Sequence, residues 1–259
     1  MCFDSDSCPV SVLSGHAEDE YGRREYRLVI VGHSAHQFVA TANLKFPRLF
    51  QSSVTCSSID QLASFLGDTY YLVAITDAYP PLELRAAESI ADRFASMRAF
   101  NASFLINIGP ATKNSYSAFS ARITMFNGFR LDLFGALVDG FFRLNLDPGC
   151  VGTDMYDVSA ALASPESHAL ATFGYAPGDN GGTVAALNAV KTFQERGIDL
   201  HHAIGVAAFM VGSGVGLKQM KAAMTCVKEH LGPEAHIAFT CHFLELPEPG
   251  IQVTLIVNF

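Results

Sequence analysis

Charge is scarce in this chain of 259 residues: only 16% are Asp, Glu, Lys or Arg, and no run of Lys or Arg occurs anywhere. With Lys+Arg 17 against Asp+Glu 25 the formal net charge is -8. Phosphate contacts need clustered cations, so a nucleic-acid partner is excluded. Long apolar runs are missing too. Tyr70 to Thr76 and Ile204 to Val211 are far short of the roughly 20 residues a membrane helix needs, and read as buried strands. The N-terminus, Met1-Cys-Phe-Asp-Ser-Asp-Ser-Cys-Pro-Val10, has acids where a signal peptide has basic residues, and no apolar core follows. No pair of the form Cys-x-x-Cys occurs among Cys2, Cys8, Cys56, Cys150, Cys226 and Cys241. Spread along a chain of ordinary domain size, these six read as reduced packing thiols of a cytoplasmic protein. Nor is there a serine elbow, a zinc signature, a Walker loop, a repeat or a low-complexity segment.

What is present is apolar and ordered. Hydrophobic residues make up 49% and mean hydropathy is +0.24, which excludes a disordered chain and provides for one large or two small domains. Residues 1–25 are polar and read as a poorly ordered tail. From Tyr26, Tyr-Arg-Leu-Val-Ile-Val-Gly32 is a strand buried on both faces that ends in glycine, the usual start of a nucleotide-binding α/β sheet. Further strands are expected over Phe50 to Ser58, Tyr70 to Thr76 and Ala102 to Ile108. Between them lie a helix from Ile59 to Phe65, capped by Ser58, and another from Pro81 to Met97. The latter carries Leu84, Ala87, Ile90, Ala91 and Phe94 at the spacing of a sheet-packed face. Strand, helix, strand in this order predicts a parallel unit. From Ser115 to Asn145 the pattern is helical, through Phe119, Ile123 and Phe126 and then Leu133, Phe134, Leu137, Val138, Phe141 and Phe142.

After that helix comes Pro148-Gly-Cys-Val-Gly152-Thr153-Asp154-Met-Tyr156-Asp157-Val158. If Thr153 caps a helix starting there, Asp154 and Asp157 share one face of it, since positions i and i+3 are neighbours. Two carboxylates on an exposed turn could position a water or bind a cation. They could equally be first-turn acids that complement the helix dipole. The rest alternates again: Asp157 to Ala163 helical, Glu166 to Gly178 closing in a strand, and Gly181 to Glu195 a helix of small residues. A strand from Ala203 to Val211 and a helix from Leu217 to Leu231 follow. Two last strands, Pro233 to Cys241 and Gly250 to Val257, are joined across Pro247-Glu-Pro249.

The acidic loop and the residues after it resemble FtsZ, the division GTPase of the tubulin superfamily. In that family a loop of the form Asn-x-Asp-x-x-Asp-Val follows the long central helix, reaches into the next subunit and completes its GTPase site. Here both acids are kept and Gly152 stands for the Asn. The resemblance implies a Rossmann-like parallel-sheet domain over residues 26–147, ending in a central helix at about 130–146. It also implies a smaller α/β domain with a mixed sheet over 148–259. At the nucleotide side the chain departs from the family. After the first strand it has Gly32-His33-Ser34-Ala35-His36-Gln37 in place of a glycine run. After the strand ending at Thr76 it has Asp77-Ala-Tyr-Pro80-Pro81-Leu-Glu83 in place of a glycine signature. Prolines offer no N–H, and Asp77 and Glu83 would repel phosphate. The segments that shape the guanine side are shortened.

The implied reading is a degenerate, non-hydrolysing FtsZ-like protein. Gly32, His33, Ser34 and Asp77 mark lost nucleotide loops, so no cofactor is expected and GTP is not expected to bind tightly. Gly152, Thr153, Asp154, Tyr156 and Asp157 would serve contact with FtsZ or with a second copy of the chain, in the manner of tubulin-type longitudinal packing. Capping or modulation of division filaments follows from keeping the loop without the nucleotide. Nucleotide-independent self-assembly, or a GTP-binding FtsZ paralogue, is the alternative. The chain stops at Phe259 without the adaptor-binding tail of FtsZ, so no direct membrane anchor is expected. His33 and His36 could be metal ligands at i and i+3, but no third ligand is recognisable. Gly212-Ser-Gly-Val-Gly216 is either a ligand loop or a tight turn.

Overall fold

The computed structural model describes residues 8–19, 22–41, 52–56, 59–66, 69–76, 81–97, 102–108, 119, 121–125, 137–138, 141–142, 153–163, 168–178, 181–243, 246 and 248–259. Within them the chain forms two units, Met1–Met125 with Ser164–Glu166, and Phe126–Ala163 with Ser167–Phe259.

The first unit is built on strands in the order β3-β1-β2-β4-β5-β6. These are β1 (Val10–Asp19), β2 (Gly22–Val31), β3 (Ser52–Cys56), β4 (Thr69–Thr76), β5 (Ser103–Asn107) and β6 (Ala121–Met125). Strands β2, β4, β5 and β6 run parallel, while β1 is antiparallel to both β2 and β3. Helices α1 (His33–Thr41), α2 (Ile59–Leu66) and α3 (Pro81–Met97) connect them. The α3 face foreseen from its spacing, Leu84, Ala87, Ile90, Ala91 and Phe94, is buried against Val29, Val31, Leu72, Ala74 and Leu105. Removing the apolar surface of these residues from water drives the helix onto the sheet.

Two expectations fail in this unit. The presumed tail contains β1, which pairs with β2 in unbroken register from Val10↔Val31 to Asp19↔Gly22. The signal was the alternation of Val10 and Val12, both fully buried, inside a segment whose average polarity is high. The helix foreseen across Phe119 and Ile123 is instead the strand β6, parallel to β5. All five of its residues are buried, Arg122 included. Five residues with apolar positions spaced at four do not separate the two periods, and the open edge of β5 decides for a strand.

The second unit holds β7 (His168–Pro177), β8 (Gly205–Gly212), β9 (His236–Phe243) and β10 (Gly250–Asn258) in the order β7-β10-β8-β9. Although β9 and β10 are consecutive, they are not neighbours. β10 inserts between β7 and β8, antiparallel to both, and β9 runs parallel to β8. Helices α5 (Gly182–Gln194) and α6 (Leu217–Lys228) bury Ala185, Ala186, Ala189, Val190, Phe193, Met220, Ala223 and Val227 against one sheet face. Helix α4 (Met155–Leu162) is joined to the sheet by the Asn258 side-chain amide, which donates to the Leu162 carbonyl at 3.2 Å.

The second unit includes residues that precede the acidic loop. Leu137, Val138, Phe141 and Phe142 are helical and fully buried. Phe141 meets Phe209 of β8 edge to face, ring centroids 5.1 Å apart. That aromatic contact assigns these residues to the second unit. No helix among the described residues is long and apolar enough to cross a membrane.

Candidate functional site

The turn from β2 into α1 is where an α/β sheet holds an anion, because helix N–H groups there lack intrahelical partners. In this chain those groups are engaged from within. Gly32 has φ of 90° and its N–H donates to the Pro9 carbonyl at 2.8 Å. The His33 N–H donates to Glu83 Oε1 at 3.0 Å. Glu83 lies in the first turn of α3 and is only 5% exposed. A Cβ built on Gly32 would fall 1.9 Å from the Glu83 carboxyl carbon, so glycine is required here both by φ and by the carboxylate above it. The negative charge of Glu83 adds to burial in pushing the Cys8 thiol up to about 11, burial being the larger cause.

His36 has a structural task in this turn. Its Nδ1 lies 2.7 Å from the Gly32 carbonyl, which only accepts, so Nδ1 carries the proton. In the neutral ring Nε2 then accepts from the Ser11 hydroxyl at 2.8 Å. His33 is exposed and Ser34 is partly buried. Asp77 lies outside the described residues. No group of three or more His, Cys, Asp or Glu that could hold a metal ion occurs among the described residues. Sequence reading had marked Glu83 only as an acid that would repel phosphate. Its bond to His33, across 50 positions of sequence, had no local signal.

The start of α4 is the second place where predicted residues meet. Its cap is Asp154 and not Thr153. Asp154 Oδ1 accepts from the N–H groups of Tyr156 at 2.8 Å and Asp157 at 3.0 Å, and Asp157 Oδ2 accepts from the Asp154 N–H at 3.0 Å. This reciprocal capping box satisfies N–H groups the helix leaves open. Thr153 is displaced from the cap because its hydroxyl donates to the Phe239 carbonyl of β9 at 2.9 Å. Both acids are exposed, as is Tyr156 between them. Gly152 lies outside the described residues.

Elsewhere in this unit the described surface is apolar at one end of the sheet. Strands β7, β8 and β9 all point the same way, so Pro177, Gly212 and Phe243 close a common end. The first turns of α5 and α6 lie there, tied by the Gly182 N–H donating to Gln219 Oε1 at 3.2 Å. Of the exposed large hydrophobic residues in the described chain, Phe243 (62%), Leu217 (64%) and Val184 (53%) lie at this end. Tyr156 (48%) lies on the helix that starts beside β9, and Ile204 (51%) precedes β8 at the other end. The turn after β8 shows why its glycines are there: a Cβ on Gly212 would lie 2.3 Å from the Gly250 carbonyl oxygen. Close packing of β10, rather than a ligand, accounts for that position.

No protein-family profile matches the sequence, and no characterised protein matches it by sequence. Solved structures do match by shape. A point-mutant FtsZ from M. jannaschii superposes with TM-score 0.62 at 13% identity, covering 78% of this chain and 70% of that one. An empty FtsZ dimer from M. jannaschii superposes with TM-score 0.56 at 16% identity, covering 78% and 67%. The fold is therefore FtsZ/tubulin-like, as the resemblance of the acidic loop and the residues after it implied.

Proposed function

We propose that this chain is a non-hydrolysing FtsZ-like subunit that docks onto an FtsZ/tubulin-type filament through its second unit, by the apolar end of the sheet and the exposed acids of α4, and modulates its assembly. The observation that carries this is the common placement of Phe243, Leu217 and Val184 at one end of the second unit. Clustered exposed apolar side chains mark protein contacts, whereas scattered ones need no account. The start of α4, tied to β9 by the bond from Thr153 to the Phe239 carbonyl, adds two exposed carboxylates to the described surface of the same unit. GTP turnover by the chain alone is not expected, because the amides that would face a phosphate are engaged by Pro9 and Glu83.

The test is GTP turnover and pelleting of FtsZ from the same cell, with and without this protein. The variant pair is Asp154→Asn with Asp157→Asn, since Asn caps as well as Asp while removing the charge. A Leu217→Ser, Phe243→Ser variant probes the apolar end. An effect at substoichiometric amounts that both variants lose supports docking. No effect at any ratio, or tight GTP binding by the purified chain in calorimetry, sinks the proposal.

The alternative is nucleotide-independent self-assembly, and the capping box favours it because the acids already have a structural use. Pelleting of the chain alone without GTP, unchanged by Asp154→Asn, would select it.

A further inference from the structure

We infer that Glu83 is a built-in anion occupying the position a phosphate would take in this sheet, so that the first unit is closed to phosphate by its own side chain. This deepens the nucleotide-free part of the proposed function. Three observations meet at one turn. The Glu83 carboxylate accepts from the His33 N–H at the start of α1, and its carboxyl carbon falls where a side chain on Gly32 would begin. Helix α1 has no acid of its own in its first turn, so the charge that complements its dipole comes from α3, 50 residues on. The turn is further held by His36, which bonds the Gly32 carbonyl and Ser11. The charge is an oxygen anion, buried and hydrogen-bonded to a helix N-terminal amide, which is the chemistry of a bound phosphate oxygen.

Burial distinguishes this from an ordinary surface cap. Water is excluded from a group only 5% exposed, so an incoming phosphate would have to displace the carboxylate or sit against it, and like charges at that distance repel. Glu83→Ala removes the occupant and leaves the His33 amide open at a helix start. Glu83→Gln keeps the volume and an acceptor oxygen but not the charge.

The experiment uses the full chain and inorganic phosphate, against chloride at matched ionic strength, with melting temperature and the His33 amide resonance as readouts. The wild type should show no phosphate-specific response. Glu83→Ala should gain a saturable rise of roughly 3–5 °C at a tenfold excess over its dissociation constant, with the His33 amide shifting in step. Glu83→Gln should melt below wild type and stay unresponsive to phosphate. A wild type whose His33 amide moves saturably with phosphate overturns the inference, as does a folded Glu83→Ala that ignores phosphate. If Glu83→Ala does not fold, Glu83→Gln decides: an unchanged melting temperature and unchanged His33 resonance overturn it. FtsZ is absent from these measurements, so their failure is separable from failure of filament docking.

Discussion

Asp154 and Asp157 hold each other's backbone: each carboxylate accepts from the other's N–H at 3.0 Å. A pair that sequence spacing offers as a catalytic or cation-binding couple is thereby also the lock of a helix start. Each side chain engages one oxygen in the box, and both remain exposed.

The cap and the charge separate by substitution. Asp154→Ala should cost about 1 kcal/mol of stability, and Asp154→Asn only a few tenths. Urea denaturation of the two variants checks this. If Asn proves as costly as Ala, the charge and not the hydrogen bonds secures the helix.

Gly32→Ala should be strongly destabilising, by about 2–4 kcal/mol, since a β-carbon at φ of 90° collides with the Glu83 carboxylate. Combining it with Glu83→Ala should recover part of the loss by making room. A double variant no more stable than the simple sum of the two losses would show that φ alone, without the carboxylate, sets the cost.

Arg122 in β6 is 2% exposed and forms an ion pair with Glu88 of α3. Glu88→Ala leaves that guanidinium without its carboxylate and should cost roughly 3 kcal/mol, whereas Glu88→Ala with Arg122→Met should cost distinctly less. Thermal unfolding of the three variants reads the coupling. Equal losses in the single and double variants would mean that the pair is not what holds β6 against α3.

Alkaline stability should reveal the buried thiols. Burial, with help from Glu83, raises Cys8 from 9.0 to about 11, and burial also raises Cys56 and Cys226. Above pH 9 the unfolded chain loses the Cys8 proton while the folded chain keeps it, so this contribution is complete below pH 9 and lost between about 9 and 11. The slope for one thiol approaches about 1.4 kcal/mol per pH unit only in the middle of the window and is smaller near either end, so the loss across it is about 2 kcal/mol. Cys8→Ala should flatten the decline measured by urea denaturation from pH 8.5 to 11, and Cys56 and Cys226 contribute to what remains in the same direction. An unaltered decline in Cys8→Ala would contradict the assignment.

The sequence alone determined most elements, because strands buried on both faces and helices with one apolar stripe are written in local periodicity. The strand ending at Gly32, helix α3 with its stripe from Leu84 to Phe94, and the run of elements from α4 to β10 were all legible this way. So was the FtsZ/tubulin-like fold, through the resemblance of the acidic loop and the residues after it to FtsZ. Only the tertiary structure decided which segments pair. Val10 and Val12 became a strand because β2 lay open beside them, Ile123 because β5 did, and β10 went between β7 and β8 rather than beside β9. Thr153 lost the cap to Asp154 because its hydroxyl found the Phe239 carbonyl, 86 residues away. Glu83 reached His33 across 50. Periodicity reports which face of a segment avoids water, but hydrogen bonds and charges choose partners by distance in space, which the order of residues does not state.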